Sequence, residues 1–276
     1  MERNELVLLR LSNQYLLHAG ERMRVLRAMN GFQAQFLSNA LHAMRLCCAA
    51  YDNAHAADGL VKGWTLRGTM HIFAEADLPL FLHTGCRYRS RDWTVPSFWN
   101  QRPDWALTPQ RQAYFSDLIV DALAQGPLTR ESLKDRCRAA GMTQAEEGSI
   151  FHPWGGGIRE LCERGFLCGT VSEEKAFRLC PAFTPMEEQD ALLEQTRRYF
   201  TNYGPASIRD AAYYFGSSQA EIKKRLAPPP VEAAECEGQR LFSLHSGRMP
   251  AFTYRVTGRM SLDTGQIGRA SCRERV

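Results

Sequence analysis

The stretch LVKGWTLRGTMHIFA, residues 60–74, breaks the texture of a chain that reads as helical on either side of it. It is rich in Val, Trp, Thr, Met, Ile and Phe, and Gly63 and Gly68 interrupt it, as in two short strands folded on a turn. Upstream, ELVLLRLSNQYLL (5–17) spaces Leu6, Leu9, Leu16 and Leu17 along one helical stripe. The pattern predicts a short helix around ERMRVLRAMNGF (21–32) and a longer one around FLSNALHAMRLCCAAYD (36–52). Downstream, AEADLPLFLHTG (74–85) turns helical again, with Glu75 and Asp77 near its start, where the helix dipole favours acids. Helices followed by a small β-ribbon describe a winged helix-turn-helix unit over residues 1–90.

The same grammar returns twice. RDWTVPSFWNQRPDWALTP (91–109) holds three Trp, three Pro and no regular period, so residues 91–111 read as a linker that wraps another element. AYFSDLIVDALAQ is then a helix ending at Gly126-Pro127, and LTRESLKDRCRAAG a second, capped by Thr129 and closed by Gly141. GGIRELCERGFLCGTVSEEKAFRLCP supplies a third helix and a strand–turn–strand through Glu173–Glu174, completing a unit over 112–184. A third unit, 185–247, runs through the helices of EEQDALLEQTRRYFTNYG, IRDAAYYFG and SSQAEIKKRL to a hairpin turning near Glu237-Gly238. The expected fold class is therefore α+β and mostly helical, built from tandem winged helix-turn-helix units. The shared pattern comes with little identity, so unrelated helices in a generic α+β protein are the other reading.

Composition narrows the class without deciding the function. The 276 residues are 44% hydrophobic and 23% charged, the balance of an ordinary globular protein. No run approaches the roughly 18 apolar residues a membrane span needs. The charged start MERNELVLLRLSNQ lacks an apolar signal core, so a cytoplasmic location is expected. Nine cysteines without C-x-x-C spacing read as reduced, buried thiols and not as a disulfide framework or zinc site; no metal and no cofactor is expected. Residues 1–111 carry 13 Lys/Arg against 9 Asp/Glu, while 112–266 carry 18 against 20. That basic excess points to a polyanion partner for the first third, or to an ordinary solvated face. The last ten residues, IGRASCRERV (267–276), back-translate to a string resembling a common sequencing adapter and are set aside. Residues 248–266 then read as the start of a β domain that is cut short.

Two stretches carry chemistry: Gly31-Phe32-Gln33-Ala34-Gln35 and Trp64-Thr65-Leu66-Arg67-Gly68-Thr69-Met70-His71. With Ala76-Asp77-Leu78-Pro79, Tyr203-Gly204-Pro205-Ala206 and Phe215-Gly216 they resemble the AlkZ/YcaQ-like family of bacterial winged-helix DNA glycosylases, from about residue 5 to the tail. The resemblance implies three tandem winged helices and a C-terminal β-barrel, truncated here. It also implies hydrolysis of the N-glycosidic bond of alkylated purines in damaged double-stranded DNA, interstrand cross-links through guanine N7 included. The family's catalytic Gln-x-Gln motif maps onto Gln33 and Gln35. A monomer acting away from membranes is expected. The other class open to the sequence is a non-enzymatic winged-helix regulator, which needs a recognition helix with several Arg, Lys, Asn or Gln on one exposed face.

The chemistry is sound on its own terms. An N7-alkylated guanine is already cationic, so its departure needs no general acid, and the sugar passes through an oxocarbenium-like state. An amide can accept a hydrogen bond from the attacking water and turn a negative dipole towards C1′. Spacing i, i+2 sets both amides on one side of an extended segment but roughly 200° apart on a helix, so Gln33–Gln35 is expected outside regular helix. Alternatively both are polar residues capping the helix that follows. Arg67, in the predicted turn, could clamp a phosphate or anchor a carboxylate. Lys62, Arg87, Arg89 and Arg91 form a basic cluster for backbone contacts or a solvated face. Trp64, Thr69 and His71 are possible pocket residues, with core packing the competing role for Trp64 and His71. Gly155-Gly156-Gly157 reads as a turn opening a helix, since no Lys-Ser/Thr follows to make a phosphate loop.

Overall fold

The hairpin read from residues 60–74 lies inside a six-stranded sheet in the computed structural model, which describes residues 1–172, 174–227 and 232–244. Chain order begins with α1 (Arg3–Asn13), α2 (Arg22–Ala28), β1 (Phe32–Gln33) and α3 (Leu37–Cys47). The hairpin strands β2 (Leu60–Trp64) and β3 (Met70–Ala74) follow, then α4 (Leu78–Phe81). An irregular run leads to α5 (Pro109–Leu123), β4 (Leu128–Thr129), α6 (Arg130–Ala139), α7 (Gln144–Ile150), α8 (Gly156–Glu163), β5 (Leu167–Gly169) and β6 (Ala176–Leu179). Last come α9 (Glu188–Asn202), α10 (Ile208–Phe215), α11 (Gln219–Leu226) and the hairpin β7 (Glu232–Cys236) and β8 (Gln239–Ser243). The class is mixed helix and sheet, with no closed barrel among the described residues.

Local chemistry sets most boundaries. Thr129 caps α6 by accepting from the Ser132 amide, and Gly141 follows it at φ +80°. Reciprocal capping boxes start α7 (Thr143, Glu146), α10 (Ser207, Asp210) and α11 (Ser218, Glu221). The first helix is shorter than its leucine spacing predicts. It ends at Asn13, the backbone of Tyr15 turns left-handed, and Leu16 and Leu17 are exposed while Leu6 and Leu9 are buried. The run after residue 90 becomes regular at Pro109 and not at 112, because Thr108 caps the helix and Pro109 occupies its first turn.

The sheet order is β1-β3-β2-β5-β6-β4. The register pair Lys62↔Gly169 joins the two ribbons, so β2–β3 and β5–β6 form one surface. One face of the first ribbon carries Phe32, Leu60 and Ile72 against Val25, Leu26, Ala40 and Met44 of α2 and α3. The other carries Val61 and Phe73 against Leu78, Phe81 and Ala191. A separate core of Phe115, Ile119, Leu133, Ile158 and Leu161 underlies β5 and β6, and Trp93 of the irregular run packs into it, as expected of a wrapping segment. The third core gathers Phe200, Ala211 and Ile222. The seven cysteines among the described residues with a stated environment are unpaired and buried. The start of the expected β domain (248–266) and the tail (267–276) lie outside the described residues, as does Glu173 of the predicted second turn.

Candidate active site

Gln33 ends strand β1 and Gln35 lies two residues on, where the chain bends before α3; neither is in helix. Phe32 and Ala34 are buried and Gln33 and Gln35 exposed, so burial alternates along the segment and leaves both amides to solvent. Gly31 makes this possible. Its φ is +78°, and a Cβ there would stand 2.6 Å from the Ile72 carbonyl oxygen, so a side chain would push β1 off β3. The Ala34 amide donates to the Met70 carbonyl (2.7 Å) and carries the ladder past the end of β1.

Register then chooses the neighbours. Gln33 pairs with His71 across β1 and β3, and the Ala34–Met70 bond joins the two strands just before the chain bends at Gln35. Paired residues of antiparallel strands share a face, so Gln33 and His71 belong together, with Thr69 two residues along β3 from His71 towards the turn. His71 is 5% exposed, and its Nδ1 lies 3.0 Å from the Thr69 carbonyl oxygen. A carbonyl can only accept, so Nδ1 carries the proton and Nε2 keeps its lone pair. Burial, reinforced by the Arg67 charge, pushes the His71 pKa down to about 4, so the ring is neutral at physiological pH. The Thr69 hydroxyl closes the turn by donating to the Leu66 carbonyl (3.0 Å).

Arg67 tops that turn with a left-handed backbone (φ 55°). Its guanidinium carbon lies 5.7 Å from the Tyr213 ring centre and 5.9 Å from that of Tyr214, both on α10. Among the described residues it makes no ion pair, so its five donors stay available to an anion. Tyr213 is 79% exposed and Phe36, next to Gln35, is 68% exposed. An exposed ring thus follows Gln35 in the chain, and a second stands beside Arg67 at the turn of the hairpin. The residues gathered here carry no carboxylate, and the titratable imidazole among them is neutral. They can orient water and meet developing positive charge with dipoles, but they offer no strong base.

The basic cluster expected from the sequence divides. Lys62 pairs with Ile72 and so faces away from the glutamines; burial and the Lys175 charge lower its pKa. Trp64 alternates with Gly63 to that same side and packs on the core beneath β5 and β6. Arg87 donates to the Pro96 carbonyl (2.5 Å). Arg89 and Arg91 both lie over the Phe166 ring, at 5.5 and 5.1 Å, and Arg91 also pairs with Asp117. Gly155 and Gly156, at φ +137° and +60°, open α8 as a turn. Sequence reasoning did not single out Tyr213, Phe36, Phe98 or Arg159. Tyr213 and Phe36 each stand beside a quoted motif, which is the signal that could have found them.

The motif residues outside the site hold the frame. Asp77 is buried, and Arg198 of α9 grips it through two hydrogen bonds of 2.7 and 2.9 Å, with Arg27 at 3.2 Å. Asn13 and Arg10 of α1 donate to the Gly204 and Pro205 carbonyls (2.8 and 2.9 Å), and Gly216 ends α10 at φ +62°.

Comparison with known proteins gives three matches. The family profile described as "DNA glycosylase AlkZ-like" covers residues 26–256. An interstrand DNA cross-link repair glycosylase of Streptomyces sahachiroi is 28% identical over 236 residues, which is 78% of this chain and 61% of the relative. The chain thus spans a little under two thirds of that relative's length. The solved structure of Streptomyces sahachiroi DNA glycosylase AlkZ aligns with a TM-score of 0.68 over 88% of this chain and 70% of the other, at 24% identity, and so shares its fold.

Proposed function

From the premise that the chain belongs to the AlkZ-like DNA glycosylase family, we propose that it hydrolyses the N-glycosidic bond of N7-alkylated purines in damaged double-stranded DNA, interstrand cross-links included. The observation that carries this is the pair of exposed amides, Gln33 and Gln35, at the end of β1, the first of them paired across the strands with a neutral His71.

In the mechanism we infer, the amide oxygens of Gln33 and Gln35 accept hydrogen bonds from one water and hold it below C1′. Their dipoles face the positive charge that grows on the sugar as the cationic base departs. The Nε2 lone pair of His71 is an acceptor on the same face, and Arg67 meets a flanking phosphate. No lysine amine enters the reaction, so the product is an abasic site and the enzyme is monofunctional. A site without a strong base acts only on leaving groups already weakened by charge. Arg87, Arg89 and Arg91 add backbone contacts, and Thr69 shapes the pocket margin. The protein works as a monomer, without cofactor, on chromosomal DNA in the cytoplasm.

We read the architecture as three winged-helix units, 1–90, 112–184 and 185–247, with a linker over 91–111. Each run of helices ends in an antiparallel hairpin, β2–β3, β5–β6 or β7–β8, and this supports the reading. The test is incubation of the chain with duplex DNA holding one 7-methylguanine. Free 7-methylguanine and an alkali-labile abasic strand are expected. Intact damaged duplex, together with selective binding to one undamaged sequence, would replace the enzyme with a regulator.

A further inference from the structure

A cavity of about 310 Å³ opens beside the turn of β2–β3, and neither glutamine lines it. Its walls include Trp64 of β2, Arg87, Phe98 and Trp99 of the irregular run, and Arg159 and Glu163 of α8. Phe98 is 70% exposed and meets the buried Trp99 edge to face, 5.2 Å between centres. A ring fixed this way presents area to a ligand with little rotamer freedom left to lose.

The two arginines are oriented before any ligand arrives. Arg159 donates from Nε to Glu163 (2.7 Å), and its guanidinium carbon lies 5.8 Å from the Trp99 ring centre. Gly68 makes room for it, since a Cβ there would fall 2.3 Å from Arg159 Nη2. The Nη groups of Arg159 have no hydrogen-bond partner among the described residues, and Arg87 spends one donor on the Pro96 carbonyl. The other charged lining residues, Arg164 and Glu160, are buried and neutralise one another at 2.7 Å. Glu163 offsets Arg159, so the charge of Arg87 is left over and the cavity favours an anion. Two polar atoms on its lining residues, Trp99 Nε1 and Thr65 Oγ1, make no hydrogen bond among the described residues.

An aromatic plate beside two guanidiniums is the chemistry that holds a single nucleotide. We propose that this cavity binds one unpaired nucleotide, its base stacked on Phe98 and its phosphate held by Arg87 and Arg159. Thr65 and Thr69 are bonded across the turn (3.1 Å), and Gln35 lies one strand further on. Two strand spacings separate cavity from glutamines by on the order of 10 Å. That is roughly three nucleotides of rise along one DNA strand. The occupant is thus a nucleotide displaced from the duplex a few positions from the reacting one. Only this last step rests on the glycosylase reading; the cavity's own affinity does not.

The experiment titrates the full chain with dGMP, with deoxyguanosine and inorganic phosphate as separate arms, reading tryptophan fluorescence. Saturable quenching by dGMP at millimolar concentration or below is expected, with both partial ligands weaker by roughly tenfold or more. Phe98→Ala and Arg159→Gln each lower the dGMP affinity by a similar factor while leaving the thermal midpoint in place, and Gln33→Ala binds dGMP as the unaltered chain does. Absence of saturable quenching, or equal binding by Phe98→Ala and Arg159→Gln, overturns the proposal, as does phosphate binding as tightly as dGMP. A chain that releases 7-methylguanine yet ignores dGMP loses the cavity and keeps the reaction. One that binds dGMP and releases nothing does the reverse.

Discussion

His71 shows how far one residue's environment can set its chemistry. Exposed histidines take up a proton near pH 6.5, but burial against Gln33 and Thr69 holds this ring neutral down to about pH 4. Between those values the unfolded chain binds a proton that the folded chain refuses. Stability is therefore full above about pH 6.5 and falls on acidification at up to about 1.4 kcal/mol per pH unit. Urea midpoints between pH 7 and pH 5 should fall less steeply for His71→Gln than for the unaltered chain. Equal slopes would mean that His71 titrates normally. The Gln-x-Gln pair was singled out by its resemblance to a family motif, and spacing alone said only that the two amides diverge if the segment is helix. Arg159 and Phe98 were not singled out, because 60 residues separate them in sequence and the packing of α8 against the irregular run brings them together.

At the scale of elements, β1 and α9 depend on single contacts that can be removed. Gly31→Ala forces a Cβ to 2.6 Å from the Ile72 carbonyl oxygen at a backbone angle that disfavours side chains. A loss of about 1–3 kcal/mol is expected, together with a larger loss of base release, because the glutamines ride on that strand. Retention of both would show that β1 tolerates displacement. Asp77→Ala strips the buried Arg198 of the anion held by its two Nη groups and leaves it Glu194 at Nε, so a loss of about 3 kcal/mol, the low end for a broken buried pair, is expected. Denaturant unfolding measures it, and a change under 1 kcal/mol, roughly the worth of an exposed pair, would contradict the buried reading. The caps at Thr129 and Gly141 were readable from residue type alone. Helix α7 was not: TQAEEGSI has one large apolar residue, Ile150, and a capping box starts the helix where periodicity is silent. Helix α1 failed the other way, since its leucine spacing continues past the residue where the backbone reverses.

Over the whole molecule, the first two ribbons share one sheet, joined at Lys62 and Gly169, and no local pattern could announce that seam. Charge asymmetry was legible from composition, but which cations are free was not. Among the described residues Arg67 makes no ion pair, whereas Asp117 already occupies Arg91. Plots of log affinity against log salt for duplex DNA should be linear, with Arg67→Ala reducing the slope by about 0.9 and Arg91→Ala by less. Equal effects would mean that both cations face phosphate alike. The central claim is that two neutral amides suffice to cleave a glycosidic bond already weakened by a cationic base. Its most direct test is the single-turnover rate of 7-methylguanine release by the Gln33→Ala/Gln35→Ala double variant. A fall of about 100- to 1,000-fold is predicted, with duplex affinity unchanged; release at the rate of the unaltered chain would contradict it.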